Sequence, residues 1–252
     1  MTPISVAIIT YNEERNISRC LDSVKNLADE VVIIDSFSTD RTKEICLSNG
    51  VKFIEHVFQG YIEQKNFALS QTKHSHALLL DADEALNPEL YNAILKEKKN
   101  DFPFDAYTMN RCTNYCGKFI RHGLWYPDRK LRLLDKNKGH WGGINPHDKI
   151  EMNKKTSIKH LPGDILHYSY NSIEEHIKQN EKFSSISAES LYKQGKRSSI
   201  LKIIFSPVWT FFSGYFLKLG FLDGKYGWVI AKKTAQLSFL KYKKLQQKQA
   251  GK

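Results

Sequence analysis

Asp81, Asp83 and Glu84 close the stretch "HALLLDADEAL", directly after an apolar run. Carboxylates crowded this way repel one another, and a bound divalent cation becomes the largest local charge and relieves the repulsion. Oxygen ligands suit Mg²⁺ or Mn²⁺. Such an ion bridges phosphate oxygens and neutralises charge on a departing diphosphate. The competing reading is a solvated acidic turn, since Asn87 and Pro88 make an N-cap and first-turn pair for a following helix. Two other apolar segments end in polar residues in the same manner. "ISVAIIT" runs into Tyr11, Asn12 and Glu13, and "EVVIID" ends on Asp35 before "SFSTD". A carboxylate such as Asp35 can accept hydrogen bonds from a base or ribose.

These polar tips need elements that bring them to one edge. "ISVAIIT", "EVVIIDS", "VKFIEHVF" and "HALLLDAD" read as strands, most as continuous apolar runs covered on both faces. Between them "NEERNISRCLDSVKNL", "STDRTKEICLSNG" and "YIEQKNFALSQT" read as helices, the second opened by Thr39 or Asp40 and closed by Gly50. Such alternation argues a parallel, right-handed βα sheet, in which ligands bind beyond the carboxyl ends of the strands. Neither a dinucleotide fingerprint nor a P-loop occurs.

The second half is looser. "NPELYNAILKEKKN" reads as a helix, and "FDAYTMNRC" and "RKLRLLDKN" as strands of a mixed sheet edge. "RHGLWYPD" and "GHWGGINPHDKIE" read as loops. "GDILHYSYNS" leads into a helix with a capping box of Ser172 and Glu175, whose apolar side is marked by Ile173, Ile177, Phe183, Ile186 and Leu191. Four cysteines without zinc-type spacing suggest reduced thiols, and the start of the chain shows no secretory pattern.

Charge is unevenly placed. The net charge is +11, yet from Lys193 onward there are 13 basic residues against the single acid Asp223. A near-neutral body with a basic tail points the tail at an anionic surface, phospholipid or nucleic acid.

"VAIITYNEERNISRCLDSV", "VVIIDSFSTDRT", "EQKNFAL" and "LLLDADE" together resemble the nucleotide-sugar domain of family 2 glycosyltransferases, closest to the group with lipopolysaccharide-core glucosyltransferases. The resemblance continues through "WYPDRKLRLL", "PHDKIE", "LHYSY" and "GFLDGKYGWVIAKKTAQLSFLKYKKL", nearly the whole chain. It implies a GT-A fold, an α/β Rossmann-like mixed sheet flanked by helices, with a basic, aromatic-rich helical tail. The implied division is a transferase domain over 1–192, with a nucleotide-sugar half (1–100) and an acceptor half (101–192), and an extension over 193–252. Thr10, Tyr11, Asn12, Glu13 and Asp35 match positions around the nucleoside of a UDP-sugar. Lys65 and Asn66 border that site, Asp81 matches the acid near the ribose, and Asp83 the metal ligand.

Inverting transfer needs a base for the acceptor hydroxyl proton. Where many members carry an acidic pair this chain reads "NPHDKIE", so Asp148 is the candidate base and His147 its orienting or acceptor-touching neighbour. Arg132 or Arg129 could hold the leaving diphosphate, although on a strand they point to opposite faces. His167 resembles a histidine that some GT-A enzymes bring to metal or diphosphate. Trp125, Tyr126 and Trp141 could stack on sugars.

The expected activity is therefore metal-dependent transfer from a UDP-sugar, in the first instance UDP-glucose, to a glycan or lipid-linked acceptor such as lipopolysaccharide core, or to another surface glycan. A metal-dependent nucleotidyltransferase usually brings a basic Gly-rich loop where this chain has "TYNEERN". A nucleic-acid-binding module leaves the strand-tip acids unexplained, so no nucleic-acid partner is expected. "IIFSPVWTFFSGYFL" is shorter than a spanning helix needs and is interrupted by Pro207 and Gly214. With its flanking lysines it suggests peripheral attachment to the inner face of the cytoplasmic membrane through anionic lipid, released by high salt.

Overall fold

The structure, a computed structural model, describes residues 1–144 and 147–251, and the side chain of His147 lies outside that description. The first half alternates strand and helix: β1 (Ile4–Thr10), α1 (Ile17–Val24), β2 (Glu30–Asp35), α2 (Thr42–Ser48), β3 (Lys52–Glu55), α3 (Tyr61–Ser70) and β4 (His76–Asp81). Then follow β5 (Glu84–Leu86), α4 (Pro88–Lys99), β6 (Ala106–Tyr115), β7 (Lys118–Phe119) and β8 (Asp128–Asp135). The remainder comprises β9 (Gly139–Ile144), β10 (His147–Met152), β11 (Ile158–Tyr170), α5 (Ile173–Lys193), α6 (Ile200–Phe212) and α7 (Lys225–Gln249).

Among the described residues, nine strands form one mixed sheet in the order β3-β2-β1-β4-β8-β6-β11-β5, with β7 on β6. β1 pairs in parallel with β2 and β4, and β2 with β3, as the alternation implied. β8 joins β4 antiparallel and turns the sheet mixed. Both faces are covered. Ile4, Val6 and Ile8 pack with Ile17, Leu21, Leu90 and Ile94 on one side, and Ala7 with Ala68, Leu69 and Trp141 on the other. Double coverage is why these strands read as unbroken apolar runs. The expected architecture holds: a mixed α/β sheet flanked by helices, with a helical, aromatic-rich C-terminal region.

Three local expectations change. "GHWGGINPHDKIE" is not a loop throughout, because β9 and β10 pair antiparallel through Trp141↔Ile150 and Gly143↔Asp148. Gly139, Gly142 and Gly143 read as loop residues, but they lie within this ladder. A Cβ on Gly139 would meet Met152 Sδ at 2.5 Å, and one on Gly142 would meet the Glu151 carboxylate at 2.7 Å. α2 starts at Thr42 rather than Thr39 or Asp40, with the Asp40 carboxylate accepting from Thr42 N and Oγ1. The predicted apolar side of α5 holds in part: Ile173 packs on the Tyr115 cluster and Phe183, Ile186 and Leu191 are half-buried, but the fully buried positions are others. His176, Asn180, Ser184 and Ala188 are buried, and Ile177 is exposed. Small and polar residues face inward because α7 reaches across: Lys233 O accepts from Asn180 Nδ2, and Lys244 Nζ donates to Ser184 Oγ.

The chain forms two compact units, Met1–Arg111 with Asp128–Tyr168, and Cys112–Pro127 with Ser169–Lys252. The second contains β7 and α5–α7 and is centred on Tyr115, Ile120 and Ile230. Among the described residues the four cysteines form no disulfide.

Candidate active site at the strand tips

At the carboxyl ends of β1 and β2 the two loops are stitched together. Ser38 Oγ accepts from Asn12 N (2.8 Å), Asn12 Oδ1 accepts from Thr39 N (2.8 Å), and Asp40 Oδ2 accepts from Glu14 N (3.0 Å). Asn12 (φ 54°) and Phe37 (φ 63°) take left-handed backbone to make these turns. Asp35 is wholly buried, and both carboxylate oxygens are engaged by Ser38. Thr10 is buried, and its Oγ1 has no hydrogen-bond partner among the described residues. Tyr11 and Phe37, just beyond β1 and β2, stand exposed at 58% and 51%. Phe37 carries no sequence signal, being a single aromatic in a polar loop.

The β4 tip holds two arrangements with different character. Asp81 is an internal counter-ion. Lys65 Nζ lies 3.1 Å from it and Arg132 Nη2 3.1 Å, while Arg132 also meets Glu84 Oε1 at 2.8 Å. Burial alone would raise Asp81, but Lys65 and Arg132 hold it well below the usual carboxylate range. Arg132 is almost fully buried, and Glu84 and Asp81 keep it protonated against the cost of burial. Arg111 extends the series, 3.7 Å from Glu84 and 2.9 Å from Asp128. Arg132 thus anchors the acids, and Arg129, as its strand position requires, is exposed instead. Glu84 was visible in sequence only as part of the acidic run, and nothing local marked Arg111.

Asp83 differs. Its Oδ2 lies 3.2 Å from His167 Nε2, with both side chains partly exposed. The meeting spans 84 positions of sequence and follows from register. β11 pairs antiparallel with β5, placing His167 opposite Glu84, and Tyr168 N donates to Asp83 O (2.9 Å). Glu13 belongs to the same electrostatic neighbourhood: burial raises its pKa, and the charges of Asp83 and Asp40 add to the effect.

This pair fits a hexacoordinate divalent ion. Neighbouring ligands on an octahedral ion with bonds of about 2.1 Å lie about 3 Å apart, close to the spacing of the carboxylate and imidazole atoms. Among the described residues no three His, Cys, Asp or Glu side chains form a complete metal cage. Mg²⁺ is commonly held by one or two carboxylates, with substrate phosphates and water supplying the rest; here Asp83 is the carboxylate and His167 adds an imidazole.

The candidate base approaches on the β9–β10 hairpin. Asp148 Oδ2 lies 2.8 Å from Lys65 Nζ, so one ammonium bridges Asp148 and Asp81. Trp141 lies under both cations, 4.5 Å from Lys65 Nζ and 5.4 Å from Arg132 Cζ to the ring centroid. The Asn66 amide is engaged within the protein. Its Nδ2 donates to Trp141 O (2.8 Å) and its Oδ1 accepts from Trp141 N (2.9 Å), clamping the hairpin to α3. His147 opens β10, and its side chain lies outside the described residues. Trp125 sits in the second unit, stacked on Tyr170.

With this geometry in view, comparison with known proteins is informative. A family model described as glycosyl transferase family 2 matches residues 5–177. An uncharacterized glycosyltransferase of Rickettsia typhi is 35% identical, over 98% of this chain and 88% of its own. The lipopolysaccharide core biosynthesis glycosyltransferase LpsC of Rhizobium meliloti is 29% identical, over 98% of this chain and 93% of its own. Among solved structures, S. aureus TarS 1–349 aligns over 94% of this chain and 91% of that one, at 16% identity and a TM-score of 0.47.

Proposed function

Because the chain belongs to glycosyl transferase family 2, we propose that it is an inverting hexosyltransferase moving a sugar, glucose in the first instance, from a UDP-sugar to a cell-envelope glycan such as lipopolysaccharide core. One observation carries the proposal. Asp83 and His167 form a carboxylate–imidazole pair at the sheet's carboxyl edge, while a separate carboxylate, Asp148, is held on its own hairpin by Lys65. That supplies one group for the donor diphosphate and another for the acceptor hydroxyl. The envelope acceptor draws support from the lipopolysaccharide core relative, which matches along nearly the whole chain. A lipid-linked acceptor would be met at the inner face of the cytoplasmic membrane, where we place the enzyme as a peripheral protein.

Mg²⁺ or Mn²⁺ held by Asp83 and His167 would neutralise charge on the diphosphate. The chain's own residues account for binding and proton transfer. The stitched loops around Thr10–Glu13 and Asp35 take the nucleoside, with Tyr11 and Phe37 as stacking faces. Asp148 accepts the acceptor hydroxyl proton as that oxygen bonds the sugar's anomeric carbon. The bond from that carbon to UDP breaks on the opposite face, UDP leaves with the electron pair, and configuration inverts. Lys65 fixes the direction of the Asp148 carboxylate, and Arg132 with Glu84 fixes Asp81.

Calorimetric titration with UDP tests the donor site. Binding is expected with Mn²⁺ present and is expected to weaken by about tenfold or more on chelation, with a similar loss for Asp83→Ala. Undiminished affinity in excess chelator would remove the metal from the scheme.

A further inference from the structure

In the second unit α6 is built inside out. Leu201, Ile204, Phe205, Val208, Trp209 and Phe212 recur at intervals of three and four, which places them on one helical face. All six are exposed, from 45% to 64%. The opposite face, with Ile203, Ser206, Thr210 and Phe211, is half-buried and mixes polar with apolar side chains. Ser206 Oγ meets Ser238 Oγ of α7 at 2.8 Å, and Gly214, just beyond α6, is buried so closely that a Cβ there would come 2.9 Å from Leu124 Cγ. A helix in water does the reverse and buries its large apolar side chains. Phe216, Leu217, Phe221 and Leu222 continue the exposed apolar surface past the helix end. Contiguous apolar surface of this kind marks a site of interaction.

Charge identifies the occupant. Lys202, Lys218 and Lys225 are exposed along this segment. Asp223, the sole acid from position 193 onward, is buried and accepts backbone N–H donors from Arg121 and His122 (3.2 and 2.8 Å to Oδ2). The exposed charge of this segment is therefore entirely positive. Two copies meeting face to face would bring like charges together, whereas an anionic lipid leaflet complements them.

The mode of contact follows from α7. α6 continues through a π-helical turn, so Ile200–Leu217 is long and apolar enough to cross a bilayer, with 11% of it buried in the protein. Yet α7 packs along it, through Ser206 with Ser238 and Phe211 with Trp228 (ring centroids 5.1 Å apart). α7 carries Lys232, Lys233, Lys241, Lys243 and Lys244. Spanning would carry those lysines into hydrocarbon, where they are strongly disfavoured. Lying in the plane satisfies both helices.

We propose that α6 and the turn after it form a monotopic insert, with the Leu201–Phe212 stripe in the acyl region of an anionic bilayer and Lys202, Lys218 and Lys225 at the lipid phosphates. Attachment of this kind is held by apolar burial as well as charge, so it outlasts high salt, unlike the salt-released attachment expected from the sequence.

Vesicle flotation of the full chain tests this, using phosphatidylcholine with and without phosphatidylglycerol, at about 0.1 M and about 1 M salt. Wild-type protein should float with the anionic vesicles at both salt concentrations. Phe205→Glu with Trp209→Glu should reduce capture by about tenfold or more, with an unchanged circular dichroism melting curve as the check on folding at these exposed sites. Acyl-brominated lipid should quench tryptophan fluorescence, and Trp209→Phe should lose much of that quenching. Release of wild type at high salt, or equal capture of the double variant, would overturn the insert. So would a vesicle-free dimer broken by the same double variant in a protein that never floats, which would assign the stripe to a second copy. UDP titration of the double variant reports on the transfer site separately, so failure of one claim leaves the other readable.

Discussion

Lys65 places one ammonium between two carboxylates, 3.1 Å from Asp81 and 2.8 Å from Asp148, with 9% of its side chain exposed. Removing one partner of a buried ion pair leaves charge uncompensated, at a cost of about 3–5 kcal/mol. Lys65→Met should therefore lower unfolding stability by about 3 kcal/mol in urea titration, and adding Asp81→Asn should recover part of the loss. A Lys65→Met variant as stable as wild type would show that the ion pairs are not structural. Asp148→Asn separates chemistry from binding. Turnover should drop about 10²-fold or more while UDP-sugar affinity holds, as expected when a positioned base is lost. Wild-type turnover in that variant would move the base elsewhere, with Asp128, Glu151 and Asp164 the next candidates.

At the scale of elements, the hairpin of β9 and β10 carries Asp148, and Asn66 fixes it to α3 through two hydrogen bonds to Trp141. Asn66→Ala should lower kcat by between about 10- and 100-fold, with donor affinity little changed, because small displacements of a catalytic group cost rate rather than binding. A fall in donor affinity alone would instead make Asn66 a nucleotide ligand, the role suggested by its place in "EQKNFAL". The second unit offers a pH test. His176 is buried against Tyr115, with Tyr115 Oη 2.9 Å from its Nδ1, and burial, with Lys233 adding, lowers its pKa to about 4 from 6.5. Between these values the unfolded chain binds a proton that the folded one does not. Stability should therefore fall as pH drops from about 6.5 toward 4 and gain nothing from His176 above that window. Thermal melts across the range should show a shallower dependence for His176→Gln. The elements differed in how legible they were. β1, β2 and β4 were clear because burial on both faces leaves unbroken apolar runs. The β9–β10 hairpin was obscured by Gly139, Gly142 and Gly143, which carry no strand pattern. The faces of α5 were legible only in part because the partners of its buried positions on α7 lie more than 50 residues away.

Across the whole molecule, local order and distant register contribute differently to the site. The polar tips of β1, β2 and β4 were visible as sequence because each directly follows its own strand. The Asp83–His167 pair and the Lys65–Asp148 bridge depend on β11 pairing with β5 and on the hairpin meeting α3, which no local pattern encodes. The basic tail was legible as charge, but its inverted amphipathicity required knowing what α6 packs against. Metal, base and donor converge in one assay. Wild-type protein, Asp83→Ala and Asp148→Asn are each given UDP-glucose, Mn²⁺ and a purified lipopolysaccharide core acceptor, and UDP release and glycan mass are followed together. Wild type should release UDP in step with a gain of one hexose on the glycan, stop on chelation and resume when Mn²⁺ is restored, while Asp83→Ala stays silent and Asp148→Asn turns over about 10²-fold more slowly. Equal hexose transfer by wild type and Asp83→Ala, undisturbed by chelator, would contradict a metal-assisted transferase site at the β4 tip.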